Sequence, residues 1–375
     1  MDKKNKNPNV PNLRFPLYQN KWECKKIKDI LKICHGRDYK HLESGKYPVL
    51  GTSGIFAYVN QYLCDWPCAL IGRKGASLDK PHYMDSPFWC VDTLYYSKPI
   101  KNNNPKWQYY LFQTINWMKM NESSGIPSLR ASTIENIDVF VPSYQEQTKI
   151  VEFLNTIDQR IQTQIKIIEN LYSQRKCIFL QLNNNYHHNK IKINELGPVS
   201  IANNLSKDDL VDDGRKCILY GELFTKYDLY TTHAISKTNK TYHIITSSGN
   251  DLLFPTSTTV NALSLIKPLA LCQKDIILGG DMFSIKLNDT YNAIYISCLI
   301  NYVYKKQLAS KTQGTTIVHL YYENIKNEII EICDYEIQCK IAEYIKFITS
   351  KIETEKELLN KLHLQKAFLL RNLFI

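Results

Sequence analysis

One segment of this chain occurs twice. Residues 142–154 read PSYQEQTKIVEFL, and residues 333–345 read CDYEIQCKIAEYI. The same separation of 191 positions relates residues outside these windows, from Leu129 with Leu320 onward. Self-similarity at a fixed separation over such a length is the signature of a duplicated structural unit. We therefore expect two copies of one architecture, related as a pseudo-two-fold internal repeat.

The shared part of each copy has the pattern of a long amphipathic helix. Its apolar residues recur at spacings of three, four and seven, close to a coiled-coil seam. No Gly or Pro follows position 143 or 333 in either stretch, so we predict spacer helices of roughly 60 Å over residues 142–185 and 333–375. Two such helices can cover their seams against each other, and we expect antiparallel pairing; the alternative is that each packs on its own domain. The seam residues are Ile150, Leu154, Ile157, Ile161, Ile168, Leu171, Ile178 and Leu182 in the first helix, and Ile341, Ile345, Ile348, Ile352, Leu359, Leu362, Leu369 and Leu373 in the second.

A mixed segment precedes each helix. Residues 1–141 are expected to form one globular domain with an N-terminal leader, and residues 186–332 a second domain. Runs of β-branched and aromatic residues between glycines indicate strands. The fold class is therefore α/β, or α+β: two globular domains joined by a long antiparallel two-helix coiled-coil spacer. The predicted strands lie within 47–59, 68–75, 88–97, 217–224, 251–258 and 275–287. One helix is predicted in each domain, at 105–120 and 292–308. The stretches that close the domains are 125–142 and 313–332.

Composition narrows the classes of protein. The net charge of +11 permits a polyanionic partner, but residues 16–141 carry 16 basic and 11 acidic side chains, whereas residues 191–332 carry 14 of each. Charge alone therefore does not show that both halves bind nucleic acid. No apolar run approaches a membrane span, and the N-terminal stretch lacks the apolar core of a secretory signal. The eleven cysteines have no disulfide-scaffold spacing, so we expect a reduced, cytoplasmic protein.

Three groups of residues resemble a known family. The opening VPNLRFP with Trp22, the stretch GKYPVLGTSGIFAYV followed by IGRKG and FWCVDTLYY, and the phrase P-x-x-x-E-Q-x-K-I at residues 142–150 are similar to specificity (S) subunits of Type I restriction-modification systems. The second copy departs from the phrase, with Cys333 in place of the proline and Ile337 in place of the glutamate. The order of domain, helix, domain and helix extends the resemblance over essentially the whole chain.

The resemblance implies a subunit without catalytic activity. Its two target-recognition domains would each read one half of a bipartite, gapped sequence in double-stranded DNA. The spacer would dock two methyltransferase subunits, and restriction subunits would join the complex. No cofactor is expected in this chain; S-adenosylmethionine, ATP and magnesium are expected only on partner subunits. The residues expected to serve the spacer and partner docking are Gln147, Lys149, Ile150, Leu154, Ile157, Ile161, Gln338, Lys340, Ile341, Ile345, Ile348 and Ile352.

Catalytic motifs are absent from the sequence. The nearest match to a methyltransferase N-P-P-F/Y motif is Asn104-Pro105 followed by Lys106-Trp107, which fails, and no Walker A sequence or PD…(D/E)xK arrangement occurs. One alternative function is a metal-dependent nuclease, and another is a coiled-coil scaffold. The nuclease would use Cys64, Cys68, His82 and Cys90 as ligands. Their loose spacing favours buried thiols and a loop histidine instead.

Three sets of loops are candidates for DNA contact. Glycine permits close backbone approach, and basic or amide side chains can bind phosphates or base edges. The alternative for each set is a solvated loop. The candidates are Arg73, Lys74, Lys80 and His82 in the first loop, Asn121, Ser123, Ser124 and Arg130 with Lys305, Lys306, Lys311, Thr312 and Gln313 in the matched pair of loops that follow the domain helices, and Lys237 and Lys240 in the third.

Overall fold

The chain is described by a computed structural model covering residues 9–100, 102–202 and 205–375. Residues 1–8, which belong to the stretch expected to lack a secretory signal, lie outside the described residues. The chain divides into two compact units. The first extends to Lys166 and includes Glu357–Ile375, and the second is Ile167–Lys356. No helix in the described ranges is long and apolar enough to cross a membrane.

The first unit contains two small sheets and a two-stranded ladder. Its strands are β1 (Glu23–Lys26), β2 (Leu31–His35), β3 (Ser44–Gly51), β4 (Gly54–Val59), β5 (Cys68–Gly72), β6 (His82–Met84), β7 (Trp89–Cys90), β8 (Leu94–Pro99) and β9 (Asp138–Val141). Its helices are α1 (Ile27–Ile30), α2 (Pro105–Thr114) and α3 (Ala131–Glu135), followed by the start of α4 (Tyr144–Asn184). One sheet has the order β2-β8-β5-β6, all antiparallel, and the other the order β4-β3-β7, with β3 parallel to β7. The ladder pairs β1 with β9.

The second unit repeats this topology. Its strands are β10 (Asn189–Lys192), β11 (Val199–Ala202), β12 (Leu210–Leu219), β13 (Tyr230–Thr231), β14 (Ser236–Thr238), β15 (Ile245–Ser248), β16 (Asp251–Pro255), β17 (Ser257–Thr258), β18 (Leu269–Leu271), β19 (Lys274–Gly279), β20 (Met282–Lys286), β21 (Val318–His319) and β22 (Ile329–Ile332). Its helices are α5 (Tyr220–Thr225), α6 (Ala262–Leu265), α7 (Ala293–Leu299), α8 (Lys305–Ala309), α9 (Tyr322–Ile325) and the start of α10 (Tyr335–Leu373). The order β11-β20-β16-β18 matches the first unit's four-stranded sheet and is extended by β13. The order β14-β12-β19, with β12 parallel to β19, matches its three-stranded sheet and is extended by β15. The ladder β10-β22 matches β1-β9.

The predicted fold class is confirmed, and most predicted strands are present. Three local predictions differ from the structure. Residues 217–224 end as helix α5, because the Glu222 carboxylate accepts the Leu219 N–H at 3.1 Å and caps a first turn. The helix predicted at 105–120 ends at Thr114, where the Trp117 indole donates to the Phe112 carbonyl at 2.8 Å. The helix predicted at 292–308 is interrupted by a π-helical turn at Ile300–Tyr304.

The long helices pair within each unit. In the first unit, Ile150, Leu154 and Ile157 of α4 share a core with Leu369 and Leu373 near the end of α10. In the second unit, Phe179 of α4 shares a core with Ile341 and Ile345 near the start of α10. In each unit, therefore, the N-terminal part of one helix packs beside the C-terminal part of the other, as expected for antiparallel partners. These cores also contain residues of the globular domains. The long helices therefore pack both on each other and on the domains, so both expected arrangements occur together.

The seam itself differs in detail from the prediction. Five of its residues are only half-buried: Ile178, Leu182, Ile348, Leu359 and Leu362. Phe179 and Thr349 occupy the fully buried places near Ile178 and Ile348. Thr349 is buried because its hydroxyl accepts a hydrogen bond from the buried Arg175 guanidinium at 3.0 Å. The buried layer near Ile178 and Ile348 therefore contains one apolar side chain, Phe179, and one polar contact, between Arg175 and Thr349.

Candidate nucleic-acid interface

The first unit has a surface groove of ≈ 610 Å³ between two loops. One loop follows β5, and the other joins α2 to α3. The groove is lined by Arg73 and Lys74 from the first loop and by Ser123 and Arg130 from the second, beside His35. The structure therefore brings together four candidates that are about 50 residues apart in sequence.

Backbone hydrogen bonds hold the two loops against each other. The Arg73 N–H donates to the Thr93 carbonyl at 2.8 Å, and the Arg73 carbonyl accepts the Leu129 N–H at 2.9 Å. The Gly75 N–H, at φ +129, donates to the Pro127 carbonyl at 2.9 Å. A left-handed residue is needed here, which explains the glycine of the GRKG sequence. The groove is thus lined by loops whose backbone is fixed.

The arginine side chains are also held. The Arg130 Nε lies 2.8 Å from the Glu122 carboxylate, although the Arg130 side chain is 79% exposed. The Arg73 guanidinium donates to the Asp92 carbonyl at 3.3 Å and lies 6.0 Å from the centre of the Tyr95 ring. Both guanidinium groups are therefore oriented while remaining accessible.

The remaining candidates of the first unit have other surroundings. Asn121 shapes its loop, because its Oδ1 accepts the N–H groups of Ser123 and Ser128 at 3.1 and 2.9 Å. Lys80 and Ser124 are exposed, but neither lines the groove. His82 lies beside another cavity, and its Nε2 is 3.0 Å from the Thr52 carbonyl.

The second unit has an equivalent groove that sequence reasoning missed. The Leu320 N–H donates to the Thr256 carbonyl at 2.9 Å, as Leu129 does to Arg73. Strands β17 and β21 pair Ser257 with His319, as Lys74 pairs with Ser128. A groove of ≈ 570 Å³ lies here. Its lining includes Ser257, Thr258, Thr259, Ser264, Asp281, Ile317 and His319. The hydroxyl residues among them, Ser257, Thr258, Thr259 and Ser264, carry no charge and give no signal in the sequence.

The second unit's basic candidates are mostly paired with carboxylates. Lys237 lies 3.1 Å from Asp213, and Lys240 lies 3.4 Å from Asp209. Neither pair is part of the groove lined by Ser257 and His319.

The loop after α8 is fixed by its own contacts. Lys311 forms a 2.7 Å ion pair with Glu328, and the Thr312 hydroxyl donates to the Ala309 carbonyl at 2.8 Å. Gln313 exchanges two backbone hydrogen bonds with His319 and leaves its side chain exposed. Lys306 is exposed, whereas Lys305 is half-buried. Burial, followed by the nearby charge of Lys176, lowers the pKa of Lys305.

The four residues considered as zinc ligands do not form a ligand set. Cys64 and Cys68 have their sulfur atoms 3.8 Å apart, within an apolar core that also contains Cys90. Burial raises the pKa of the Cys90 thiol, which disfavours the thiolate that a metal needs. His82 contacts the Thr52 carbonyl instead. Among the residues that the structure describes, no group of three or more His, Cys, Asp or Glu side chains could hold a metal ion.

The repeated glutamines join each long helix to its domain. Gln147 is 1% exposed; its Oε1 accepts the Asn104 N–H at 2.8 Å, and its Nε2 donates to the Pro142 carbonyl at 3.1 Å. In the second copy, Gln338 accepts the Asn292 N–H at 2.9 Å and donates to the Cys333 carbonyl at 2.8 Å. Asn104 and Asn292 are the N-caps of α2 and α7. We call these two arrangements the glutamine clamps.

The other spacer candidates divide by exposure. Lys149 and Lys340 are exposed and pair with Glu152 and Glu336 on their own helices. The apolar candidates face intramolecular cores and are buried, except for the half-buried Ile348: Ile150, Leu154, Ile157, Ile161, Ile341, Ile345 and Ile352. A partner protein would therefore meet other side chains of these helices.

Comparison with known proteins was made at three levels. A family model described as "Type I restriction modification DNA specificity domain" matches residues 19–171 and 188–364. The Type I restriction enzyme EcoprrI specificity subunit of Escherichia coli is 28% identical over 116 residues, which are 31% of this chain and 29% of that protein. The MjaVIII specificity subunit of Methanocaldococcus jannaschii is 23% identical over 400 residues, covering 92% of this chain and 90% of that protein.

Solved structures share the fold. The crystal structure of the S subunit from M. genitalium aligns with a TM-score of 0.59 and 15% identity, covering 98% of this chain and 99% of that chain. A structure concerning complex assembly and conformational transition of the type I R-M system aligns with a TM-score of 0.54 and 11% identity, covering 94% and 97%. The family model, in two copies, spans well over half of the sequence. The chain therefore belongs to the family of Type I restriction-modification DNA specificity subunits.

Proposed function

We propose that this chain directs a Type I restriction-modification complex to a bipartite, gapped target in double-stranded DNA. Residues 1–141 and 186–332 are assigned as the two target-recognition domains, and residues 142–185 and 333–375 as the spacer. The observation that carries the proposal is the equivalent groove in two domains of the same topology. Each groove has its own lining, with arginine and lysine in one and hydroxyl residues in the other.

The grooves suit the two kinds of DNA contact. Lysine and hydroxyl groups bind phosphates and fix the register, whereas arginine and polar side chains read base edges. Two different linings read two different half-sites, which accounts for one chain with two domains. The chain itself is assigned no catalytic step. S-adenosylmethionine, ATP and magnesium would act on the partner subunits.

The spacer would bind those partners. Large apolar side chains remain exposed on α10, including Phe347 at 73%, Leu364 at 63% and Phe368 at 57%. Apolar side chains exposed along a helix are typical of a surface that another protein covers. We assign this helix, with the exposed side of α4, to the docking of two methyltransferase subunits, which restriction subunits then join.

Methylome sequencing of the source organism, with and without this gene, tests the function. We expect deletion to abolish adenine methylation at one gapped, two-part motif and at no other motif. Re-expression of the gene should restore that motif. An unchanged methylome in a strain that expresses the methyltransferase subunits would contradict the proposal.

A further inference from the structure

We propose that Arg73 and Arg130 determine specificity in the first domain by reading guanine in the major groove. This inference rests on the proposed function and adds the base and the residues to it. The two grooves differ in the charged residues that line them. Arg73, Lys74, Arg130 and His35 line the first, whereas Asp281 is the single fully charged residue among the described residues lining the second.

Both arginines are attached to a rigid backbone. The Arg73 backbone is hydrogen-bonded on both sides, to Thr93 and to Leu129. Arg130 is the residue immediately before α3, and Leu129 beside it is 3% exposed. Side chains on such rigid positions reach the same point in space each time DNA binds, as base reading requires.

Neighbouring groups orient both guanidinium groups. Glu122 holds the Nε of Arg130 at 2.8 Å, and Glu122 in turn accepts a hydrogen bond from the Thr133 hydroxyl. A carboxylate on the Nε side directs the terminal nitrogens outward. Arg73 is oriented by different contacts, because its terminal nitrogen Nη1 donates to the Asp92 carbonyl at 3.3 Å and its guanidinium lies 6.0 Å from the centre of the Tyr95 ring. Oriented guanidinium forks match the O6 and N7 acceptors of guanine.

Base reading and phosphate binding make different demands on a side chain. A phosphate accepts a flexible point charge, and Lys74 supplies one in the same groove. The arginines are held by neighbouring groups, which phosphate contact does not need. Lysine cannot reproduce the two parallel hydrogen bonds of arginine, so Arg→Lys substitution distinguishes the two contacts. In the second domain, Ser257 and Thr258 stand where the first has Lys74 and Gly75. Thr256 stands where the first domain has Arg73, and no arginine is among the described residues that line the second groove.

The test uses the full chain assembled with its methyltransferase subunits and the motif found by methylome sequencing. Each guanine of each half-site is replaced in turn by 7-deazaguanine, which lacks the N7 acceptor but keeps base pairing and the phosphate. We expect one or two such guanines in a single half-site to weaken binding by about 5- to 150-fold each. R73K and R130K should weaken binding of the unmodified duplex by a similar factor. Combining variant and analogue should give no further loss, because both remove the same contact.

The control is R37K, since Arg37 is an exposed arginine of the same domain outside the groove. It should leave binding and the effect of the analogue unchanged. Thermal melting and co-purification with the methyltransferase subunits establish that each variant is folded.

Three results would overturn the inference without touching the proposed function. The first is a motif with no guanine in either half-site. The second is unchanged DNA binding by R73K and R130K. The third is that the loss of binding caused by the variant and the loss caused by the analogue multiply when the two are combined. A methylome without any motif that depends on this gene would instead contradict the proposed function itself.

Discussion

Arg14 and Glu146 form a bidentate ion pair that joins the N-terminal leader to the first turn of α4. Arg14 Nε and Nη2 each lie 2.8 Å from a carboxylate oxygen of Glu146, and the side chains are 12% and 3% exposed. The sequence motifs LRFP and P-x-x-x-E-Q-x-K-I contain one partner each. The second copy of the phrase has Ile337 in place of the glutamate, and the matching position therefore lacks the acid that a leader arginine would need.

Removal of Arg14 should be costly. R14A leaves the Glu146 carboxylate buried without a counter-charge, and loss of one partner of a buried pair costs about 3–5 kcal/mol. Hydrogen exchange of the first turns of α4 measures the local loss of stability. K149A is the matched control, because Lys149 and Glu152 are more than half exposed and should contribute under about 1 kcal/mol. The double variant R14L/E146I imitates the second copy and should recover most of the loss; equal loss in R14A and the double variant would contradict this account.

Glu328 gives the second domain a dependence on pH. Hydrogen bonds from Lys311 and then Gln307 lower the pKa of Glu328 below its usual range. A lowered pKa in the folded state means that the contribution of Glu328 is complete above the unfolded pKa, near about 4.3, and is lost as pH falls through the folded value. Exchange of amide protons in the loop that follows Lys311 should therefore accelerate below about pH 4. The E328Q variant should lack this acid-dependent step, and an identical pH profile in the variant would exclude Glu328 as its source.

Charge in the sequence indicated part of the first groove and none of the second. The sequence indicated Arg73, Lys74 and Arg130, which line the first groove, but it missed Ser257, Thr258 and His319 in the second. Hydroxyl residues are common on every solvated loop, so their chemistry carries no signal until pairing with another strand fixes their place. The partners of Arg14 and Lys311 were missed for a related reason, since ion pairs between distant segments leave no local pattern.

At the scale of elements, the glutamine clamps connect each long helix to the domain helix before it. The Asn104 and Asn292 side chains cap α2 and α7, while their backbone N–H groups donate to Gln147 and Gln338. One asparagine thus links the start of a domain helix to the start of a spacer helix, in both copies. The likeness of Gln147 and Gln338 in sequence follows from this shared geometry.

Substitution of either glutamine should loosen its own domain. Q147A and Q338A each leave a partly buried N–H and a buried carbonyl without a side-chain partner, at a cost of about 1–3 kcal/mol. The amide protons of Asn104 and Asn292 report the two clamps separately by hydrogen exchange. Q145A is the control, because the Gln145 side chain is exposed. The clamp interpretation fails if Q147A leaves exchange at Asn104 unchanged, or if Q145A has the same effect.

Regular elements were predictable where one pattern continues long enough. The helices Tyr144–Asn184 and Tyr335–Leu373 follow uninterrupted apolar periodicity, and the hairpin of β3 and β4 follows its glycine turn. Residues 217–224 were predicted as a strand because an apolar run fits a strand and a short helix equally well. Only the Glu222 cap, a contact with the chain's own backbone, decides between them.

For the whole molecule, the duplication extends further than the sequence repeat. Likeness at the separation of 191 fades upstream of Leu129 and Leu320, yet the sheets of the two units have the same strand order and the same parallel pair. Strands require only suitable burial on each face, so their residues can change without a change in topology. The loops between them set the separation, and insertions in the second domain alter it. A comparison at one fixed separation therefore finds the helices and misses the sheets.

Shared topology predicts that the domains can be exchanged at the ladders. In a chimera, residues 193–328 replace residues 27–137, so that β1 and β9 keep their pairing around a second copy of the second domain. Charged residues of the spacer helices oppose this exchange. Arg175 pairs with Asp228 of the second domain and with Thr349, whereas the equivalent positions 366 and 158 are a Lys366–Asp158 ion pair. The incoming Asp228 would have to share Lys366 with Asp158, and two carboxylates beside one ammonium group repel each other.

The chimera should therefore need two compensating changes. With D158T and K366R it should be more stable than the uncompensated chimera, by up to about 1 kcal/mol, because repulsion between two partly exposed carboxylates is removed. In the methylome assay the compensated chimera should produce a motif that contains the second domain's half-site twice. D158T/K366R in the natural chain is the control; it should be destabilising there, since it removes the acceptor of Tyr110. If the complex that contains a folded, compensated chimera still methylated the original motif, the two domains would not read the two half-sites separately.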